Sequence, residues 1–404
     1  MSDYYGTRLE MKILYIAGVA SPEIRAAYGE TQALGLGGYR KVKLISQALT
    51  QLGHDVKILS SAVWGKSRVV WRREMSEELT CERGAVGITY PSTLMLRPVG
   101  GVINCLRAAK LTRKLLRQFK PDLIVVYNIY LLEYYLIKNI FKFNDTPIIL
   151  ELEDLPRARS RGWLNIKPLL DQLAWNATID LVSGFTAVNT SILHRLPFEK
   201  PKHLLPGIID GRLLAYAQTR SAPFSNAIKT VGYFGGLDYR KGAHILLELV
   251  PRLPADWKLI VTGSGVLASE FERVSERYPC RLTFLGLTGD DELYDAMCSC
   301  DCTIVPYEQT TGDGQGVFPF KVFEFLVAGT HVIAPPLPKL KSIDVSFVQR
   351  WDGKLDSLSS KLNEAETVYI RERDVRQRVV STIRSRYSVD GVASLFSRLI
   401  DQVM

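Results

Sequence analysis

The hydrophobic positions follow two alternating patterns along the chain. Short runs of aliphatic and β-branched residues, such as Met11–Gly18 and Pro121–Asn128, are typical of buried strands. Between them, segments such as Gly35–Gly53 place apolar residues three and four positions apart, as amphipathic helices do. Because strands and helices alternate with short connections, this half of the sequence predicts parallel βαβ units in a doubly wound sheet.

The same pattern starts again in the second half. Lys229–Leu237 and Trp257–Gly265 have the pattern of strands that run into glycine-rich turns, and Lys241–Leu253 has that of the helix between them. The stretch Leu205–Asn226, which interrupts the pattern, is typical of a linker. The sequence therefore predicts an α/β protein with two Rossmann-like domains.

The chain length agrees with two domains, since 404 residues exceed one typical core. We place the N-terminal domain at residues 1–205 and the C-terminal domain at 206–385. In open α/β sheets, ligands bind outside the carboxyl ends of the strands. Two such sheets facing each other would therefore form one site between them.

Composition adds further expectations. The chain is 47% hydrophobic and 23% charged, which is ordinary for a soluble globular protein. No apolar run reaches the ~18 residues of a spanning helix, and no signal peptide is recognisable, so a cytoplasmic location is expected.

Cys298, Cys300 and Cys302 alternate, but no second pair follows as in a structural zinc site. We expect free thiols and no metal site.

The net charge of +9 is concentrated in the first half. Residues 1–205 hold 28 basic and 18 acidic side chains, and the predicted helix within 102–120 holds six of the basic ones. They fall on one side of that helix: Arg107, Lys110, Arg113, Lys114, Arg117 and Lys120. The bland interpretation is a solvated helix face. The functional one is peripheral docking on an anionic membrane, with the tryptophans of segment 64–75 at the interface. The sequence has no nucleic-acid recognition motif, so no nucleic-acid partner is expected.

Two segments of the second half indicate a site for an anionic ligand. In Gly316–Ala334, Glu324 lies among apolar helix residues, where a carboxylate needs hydrogen-bond donors such as the hydroxyls of a ribose. In Tyr233–Leu247, glycines and Lys241 follow a strand and precede a helix, an arrangement that favours a diphosphate. A structural carboxylate and a solvated lysine remain the alternatives.

These segments resemble glycosyltransferase family 4, whose members have the GT-B fold. Pro319, Lys321, Glu324, Ala328 and Gly329 match the donor-binding motif of the family. The resemblance implies that Glu324 binds the ribose of the nucleotide and that Lys241 and Glu324 are catalytic residues. The family's first glutamate falls at Gly316, so the sugar or diphosphate would meet the backbone amides of the segment 316–318, formed by Gly316, Val317 and Phe318.

The resemblance extends to further positions. The family's phosphate-binding arginine falls at Gly236, next to Gly235, and Arg240 is a candidate substitute. It also implies three more features: a base-binding region at Gly263 and Gly265, a Gly-Gly contact before the first helix at Gly37 and Gly38, and a final helix at 386–404 that crosses back to the N-terminal domain. Asp154 is expected beside the acceptor and is a catalytic candidate.

The function implied is retaining transfer of a sugar from a UDP- or GDP-linked donor, used as substrate, to an acceptor hydroxyl. The acceptor would be a glycan or lipid-linked glycan of the cell envelope, and no other cofactor is implied. The acidic run Glu151–Asp154 also resembles the metal-binding motif of the other large glycosyltransferase architecture, but the repeated two-domain pattern argues against it. A sugar-nucleotide epimerase and a catalytically silent GT-B subunit remain as alternatives.

Overall fold

The computed structural model describes residues 10–27, 36–61, 71–81, 84–94, 99–142, 145–154, 167–306, 319–337 and 343–404. They form two compact units, unit 1 up to Ile208 and again from Val389, and unit 2 from Ile209 to Ser388. The sequence predicted the boundaries a few residues earlier, at 205/206 and 385/386.

Unit 1 is a sheet covered by helices on both faces. Its elements are β1 (Lys12–Ala17), α1 (Pro22–Ala27), α2 (Leu36–Gln51), β2 (Asp55–Ser60), β3 (Trp71–Arg72), β4 (Met75–Cys81), β5 (Gly84–Tyr90), β6 (Thr93–Leu94), α3 (Val99–Phe119), β7 (Leu123–Tyr127), α4 (Leu131–Phe141), β8 (Ile148–Leu152), α5 (Lys167–Ile179), β9 (Gly184–Ala187), α6 (Thr190–Leu193) and β10 (Lys202–Leu204). The strand order is β10-β9-β8-β7-β1-β2-β5-β4, parallel except for the antiparallel edge strand β4.

Unit 2 is a second, fully parallel sheet. Its elements are α7 (Gly211–Thr219), β11 (Lys229–Phe234), α8 (Ala243–Leu249), β12 (Trp257–Thr262), α9 (Ala268–Arg277), β13 (Leu282–Gly286), α10 (Asp290–Ser299), β14 (Cys302–Ile304), α11 (Lys321–Val327), β15 (His331–Ala334), β16 (Gln349–Arg350), α12 (Leu355–Arg371) and α13 (Arg373–Tyr387). The order β13-β12-β11-β14-β15-β16 is that of a Rossmann sheet. Short 3₁₀ turns, Tyr239–Lys241 and Val250–Arg252, flank α8.

The chain returns to unit 1 with α14 (Val389–Val403). This helix packs on α2, and its Phe396 and Leu399 are fully buried in the core of that unit. The burial follows from an apolar stripe three and four residues apart, which needs a partner surface. The last helix is therefore part of the first sheet's own core.

Two local predictions were wrong. Gly37 and Gly38 lie inside the first turn of α2, and not before it. The amides of this turn make no hydrogen bonds within the helix, so glycine is tolerated there. The supposed linker Leu205–Asn226 contains α7, which begins where the Asp210 side chain accepts a hydrogen bond from the Arg212 amide. Helix α7 has only nine residues and lies in a stretch that contains prolines, so its hydrophobic pattern is too short to predict a helix.

Cys298, Cys300 and Cys302 are buried free thiols, and burial raises the pKa of Cys298 to about 11. Among the helices that the structure describes, none has both the length and the apolar character to span a bilayer.

Candidate functional site

In unit 2, two lysines flank the glycine pair that follows β11. A Cβ placed on Gly235 would lie 3.2 Å from Lys321 Nζ, and one on Gly236 would lie 3.9 Å from Lys241 Cγ. Lys321 also donates a hydrogen bond to the carbonyl oxygen of Phe234. This pair lies at the switch point of the sheet, where β11 and β14 adjoin and ligands of such sheets bind.

The turn that carries Lys241 is held rigidly. The Asp238 side chain accepts a hydrogen bond from the Lys241 amide at 3.0 Å, and Tyr233 OH donates to the carbonyl of Gly236 at 2.7 Å. Gly242 has a φ of 71°, and a Cβ there would lie 1.7 Å from the Pro306 carbonyl oxygen, so only glycine fits. Lys241 therefore lies in a 3₁₀ turn just before α8, and its exposed ammonium group extends from a fixed backbone.

Gly263 and Gly265 have a structural use that sequence analysis did not assign. Their φ values are 140° and 156°, and Cβ atoms there would lie 1.8 Å from Gly235 O and 2.3 Å from Leu237 O. The Leu237 amide also donates to Ser264 O at 2.9 Å. The glycines thus allow the loops after β11 and β12 to pack backbone against backbone at the carboxyl edge.

Glu324 is half-buried on α11, one turn after Lys321. Positions three apart share a helix face, so both side chains belong to the side of α11 that meets the end of β11. Within the described part of the chain, no group donates a hydrogen bond to the Glu324 carboxylate. Gly316, Val317 and Phe318 lie outside the described residues, and Arg240 is exposed beside Lys241.

The carboxyl edge of unit 1 holds a charged cluster that the sequence did not reveal. Lys41 of α2 lies 3.0 Å from Glu151 of β8 and forms a second, closer ion pair with Glu153. Tyr15 donates a hydrogen bond to Glu151, so the buried carboxylate is held from both sides. The helical period of α2 places Lys41 on the buried face of that helix. The residues three and four positions from Lys41 include no carboxylate, so the sequence did not indicate an ion pair for it.

Asp154 follows this cluster directly. Asn128, which has a φ of 59° at the end of β7, accepts hydrogen bonds from the amides of Glu153 at 2.7 Å and Asp154 at 3.2 Å. The Asp154 side chain is exposed, whereas Glu153 is half-buried. Asn128 therefore bends the chain so that two carboxylates leave the sheet at its ligand-binding edge.

Burial and charge shift the pKa values of this cluster. Burial lowers the pKa of Lys41, but Glu153 and Glu151 outweigh it, so the pKa of Lys41 is raised. Burial raises the pKa of Glu153, and the nearby Lys41 only partly offsets this. Burial and the cluster's carboxylates raise the pKa of Tyr127, whose hydroxyl lies 3.3 Å from the Cβ position of Gly38. Gly37 has open space around it.

The basic helix of unit 1 is α3. Its apolar side is buried, through Leu111, Leu116 and Phe119. The Arg107 guanidinium lies 3.8 Å from the ring centre of Trp71, and Leu106 is 53% exposed beside it in sequence. The exposed basic side chains are Lys110, Lys114, Arg117 and Lys120. Trp64 lies outside the described residues.

The match to a known family covers the segment of unit 2 that holds these residues. Residues 228–346 match the model of a family described as Glycosyl transferases group 1. The chain is also 29% identical over 124 residues to TuaH of Bacillus subtilis (strain 168), a protein that bears the name of a teichuronic acid biosynthesis glycosyltransferase. The matched stretch spans 30% of either protein.

Solved structures resemble the whole chain. HepE of Anabaena in complex with UDP has a TM-score of 0.63 at 14% identity and covers 97% of this chain and 100% of its own. Sucrose-phosphate synthase of Thermosynechococcus elongatus has a TM-score of 0.63 at 13% identity over 97% and 98%. The catalytic domain of starch synthase IV from Arabidopsis thaliana, bound to ADP and acarbose, has 0.61 at 13% over 98% and 99%. The chain has the GT-B fold, and the predicted resemblance to GT-B glycosyltransferases is confirmed.

Proposed function

We propose that this protein is a retaining glycosyltransferase that moves a sugar from a nucleoside-diphosphate donor to an acceptor hydroxyl in cell-envelope or lipid-linked glycan synthesis. The observation that carries the proposal is the pair Lys241 and Lys321 beside Gly235 and Gly236. These residues lie at the switch point of unit 2, within the segment that matches the glycosyl transferase model. The UDP found with HepE supports a UDP-linked donor.

The diphosphate of the donor would lie against the glycine pair. As the bond between the sugar C1 and the diphosphate oxygen breaks, negative charge grows on the leaving nucleotide, and Lys241 and Lys321 stabilise it. The acceptor oxygen forms its bond to C1 on the same face, and the hydroxyl proton passes to the leaving phosphate oxygen. Glu324 accepts hydrogen bonds from the ribose hydroxyls. Fixed lysine charges supply the electrostatic stabilisation, and we propose that the reaction does not require a metal.

The acceptor would bind at the carboxyl edge of unit 1. Glu153 and Asp154 leave β8 there through the bend fixed by Asn128, and both can accept hydrogen bonds from sugar hydroxyls. Lys41 is a positioning residue in this scheme, because its ion pairs with Glu151 and Glu153 fix the base of the acceptor surface.

Nucleotide binding and donor consumption test the proposal. Isothermal titration with UDP, GDP and ADP identifies the nucleotide, and NMR of the matching nucleotide sugar follows the reaction with and without a lipid-linked glycan fraction. We expect nucleotide release that depends on the acceptor and a product that keeps the anomeric configuration. Isomerisation of the donor sugar without acceptor would establish an epimerase instead. Absence of binding for all three nucleotides would indicate a silent subunit.

We further propose that unit 1 docks peripherally on the inner face of the cytoplasmic membrane through α3. Each exposed basic residue near an anionic leaflet contributes roughly 1 kcal/mol. The variant Lys110→Gln/Lys114→Gln/Arg117→Gln should then lose flotation with phosphatidylserine vesicles, while Arg273→Gln/Arg277→Gln/Lys354→Gln in unit 2 should keep it. Equal flotation of both variants, or wild-type flotation with neutral vesicles, would refute docking by this helix.

A further inference from the structure

Unit 2 contains a cavity of about 640 Å³ away from the glycine pair. The end of α11, the end of α7 with the segment that follows it, and the facing sides of α12 and α13 form its walls. Leu326 and Val380 contribute apolar surface, and Arg373, Arg376 and Arg384 contribute three guanidinium groups. A volume of this size suits a small organic molecule.

The lining is cationic without a balancing acid. Among the described residues that line the cavity, none is an aspartate or glutamate. Arg376 is 6% exposed; its guanidinium stacks 3.4 Å from the ring centre of Tyr369 and donates to the Tyr369 carbonyl at 2.9 Å. The buried Nε of Arg384 has no hydrogen-bond partner in the part of the chain that the structure describes.

These unpaired arginine groups destabilise the folded protein unless an anion binds in the cavity. A buried charge is destabilising unless it is paired, and a buried donor without an acceptor adds a further cost. Burial lowers the pKa of Arg376, and the positive charges of Arg373 and Arg220 lower it further. In the described part of the chain Tyr369 raises the pKa of Arg376 but no carboxylate does, so the arginine-lined cavity is suited to an anion from outside the chain.

From this we infer that the cavity is a binding site for an organic phosphate monoester. The phosphoryl group would lie against Arg373 and Arg376, since guanidinium groups donate paired hydrogen bonds to phosphate oxygens. Arg384, about 12 Å further along α13 from Arg376, would donate to an oxygen of the organic part. The organic part would cover Leu326 and Val380. A soluble sugar phosphate and the headgroup of a phosphatidic acid share this chemistry.

The cavity is distinct from the candidate donor site. Lys321, at the beginning of α11, contacts the carboxyl end of β11, whereas Leu326 lies at the other end of that helix. Gly329, also in the lining, comes just before β15 and thus lies at the amino edge of the sheet. An anion in the cavity and a nucleotide at Gly235 therefore contact opposite ends of α11.

Titration of the full chain with glucose 6-phosphate tests the site, with flotation on phosphatidic acid vesicles as the second arm. Losing two guanidinium groups should weaken binding of the favoured probe by about 100-fold or more in Arg373→Gln/Arg384→Gln, because a hydrogen bond to a charged group accounts for about tenfold or more. Ser381→Asp, which adds a carboxylate to the lining, should abolish binding. Arg378→Gln, on the same helix but outside the lining, should bind as the wild type does.

The probe that binds the wild-type protein identifies the source of the phosphate. Binding of glucose 6-phosphate alone indicates a soluble ligand, and flotation alone indicates a lipid headgroup; loss of either in the double variant supports the site. The inference is overturned if neither probe binds the wild type or if both variants retain full binding. It is also overturned if Lys241→Ala, and not the arginine variant, abolishes binding of glucose 6-phosphate.

Discussion

Lys321 donates a hydrogen bond to the carbonyl oxygen of Phe234 and thereby ties the first turn of α11 to the end of β11. Lys241 differs, since its ammonium group has no hydrogen-bond or ion-pair partner among the described residues. Lys321 therefore uses one of its hydrogen-bond donors to shape the glycine pair, whereas every donor of the Lys241 ammonium group is available to a ligand.

Replacing Lys241 should affect catalysis far more than stability. In Lys241→Ala we expect kcat to fall about 100- to 1,000-fold, the usual effect of removing one group that stabilises developing charge. Because the side chain is exposed, the urea midpoint should stay within experimental error. Nucleotide release under saturating donor measures the rate, and Lys354→Ala serves as an exposed control lysine. Unchanged turnover in Lys241→Ala would exclude the assigned role.

Glu324 should determine nucleotide affinity. The variant Glu324→Gln keeps the shape of the side chain but weakens two charge-assisted hydrogen bonds, so the Kd for the preferred nucleotide should rise about 10- to 100-fold. Isothermal titration measures it, with Glu276→Gln on α9 as an exposed control. If both variants bind the nucleotide equally well, the ribose does not lie at Glu324.

Gly242 should tolerate no side chain. Gly242→Ala combines a positive φ with overlap of the Pro306 carbonyl, and we expect a loss of at least about 2 kcal/mol in the free energy of unfolding. Urea denaturation followed by tryptophan fluorescence measures the change. Gly101→Ala, in open space within α3, should instead stabilise its helix by about 0.5–1 kcal/mol. Losses of equal size in both variants would contradict this account.

The cluster around Lys41 should be sensitive to removal of its cation. Lys41→Met leaves Glu151 and Glu153 without their counter-charge, so we expect a loss of about 3–5 kcal/mol in the free energy of unfolding. Lys41→Met/Glu151→Gln/Glu153→Gln should recover most of it, because no unpaired charge remains. Lys43→Met on the same helix is the control for urea denaturation. If the triple variant is as unstable as the single one, the ion pairs do not account for the loss.

Glu133 should make stability depend on pH. It is buried on α4, where its carboxylate accepts hydrogen bonds from Ser61 at 2.6 Å and from the Tyr130 amide at 3.2 Å, yet burial still raises its pKa. The folded state thus favours the protonated form. Its contribution to stability is complete below the unfolded pKa of about 4.3 and is lost as the pH rises through the folded pKa.

The variant Glu133→Gln mimics the protonated form at every pH. We expect its stability relative to the wild type to be greater at pH 7.5 than at pH 4.5, as measured by urea denaturation at both pH values. Glu23→Gln, exposed on α1, should show no such difference. A relative stability of Glu133→Gln that is the same at both pH values would show that Glu133 has an ordinary pKa.

The sequence predicted the two sheets well because parallel strands buried on both faces are continuous apolar runs. Lys241 and the start of α11 both lie at the glycine pair, and their roles there stay predictions. The short β3 and β6 pair and the edge strand β4 were not predicted. Two-residue strands and a polar edge strand lack a hydrophobic period that could be recognised.

Pairings distant in sequence account for the remaining omissions. Lys41 and Glu151 are 110 positions apart, and only the placement of α2 against β8 brings them together. Gly263 and Gly265 pack against the backbone of the loop after β11, which the sequence alone could not show. The same two glycines were predicted from the sequence to line a base-binding region. The arginine-lined cavity has walls from α11, α12, α13 and the region of α7, which only the tertiary packing of unit 2 brings together.

The position of α14 in the core of unit 1 affects biosynthesis. Residues 209–388 can fold as soon as they leave the ribosome, since the described residues of unit 2 all lie between Ile209 and Ser388. The first sheet emerges earlier, but the surface around α2 stays uncovered until Val389–Val403 have also been translated. During that interval the nascent chain exposes apolar residues to chaperones, so the half of the protein that is synthesised first is the half that matures last.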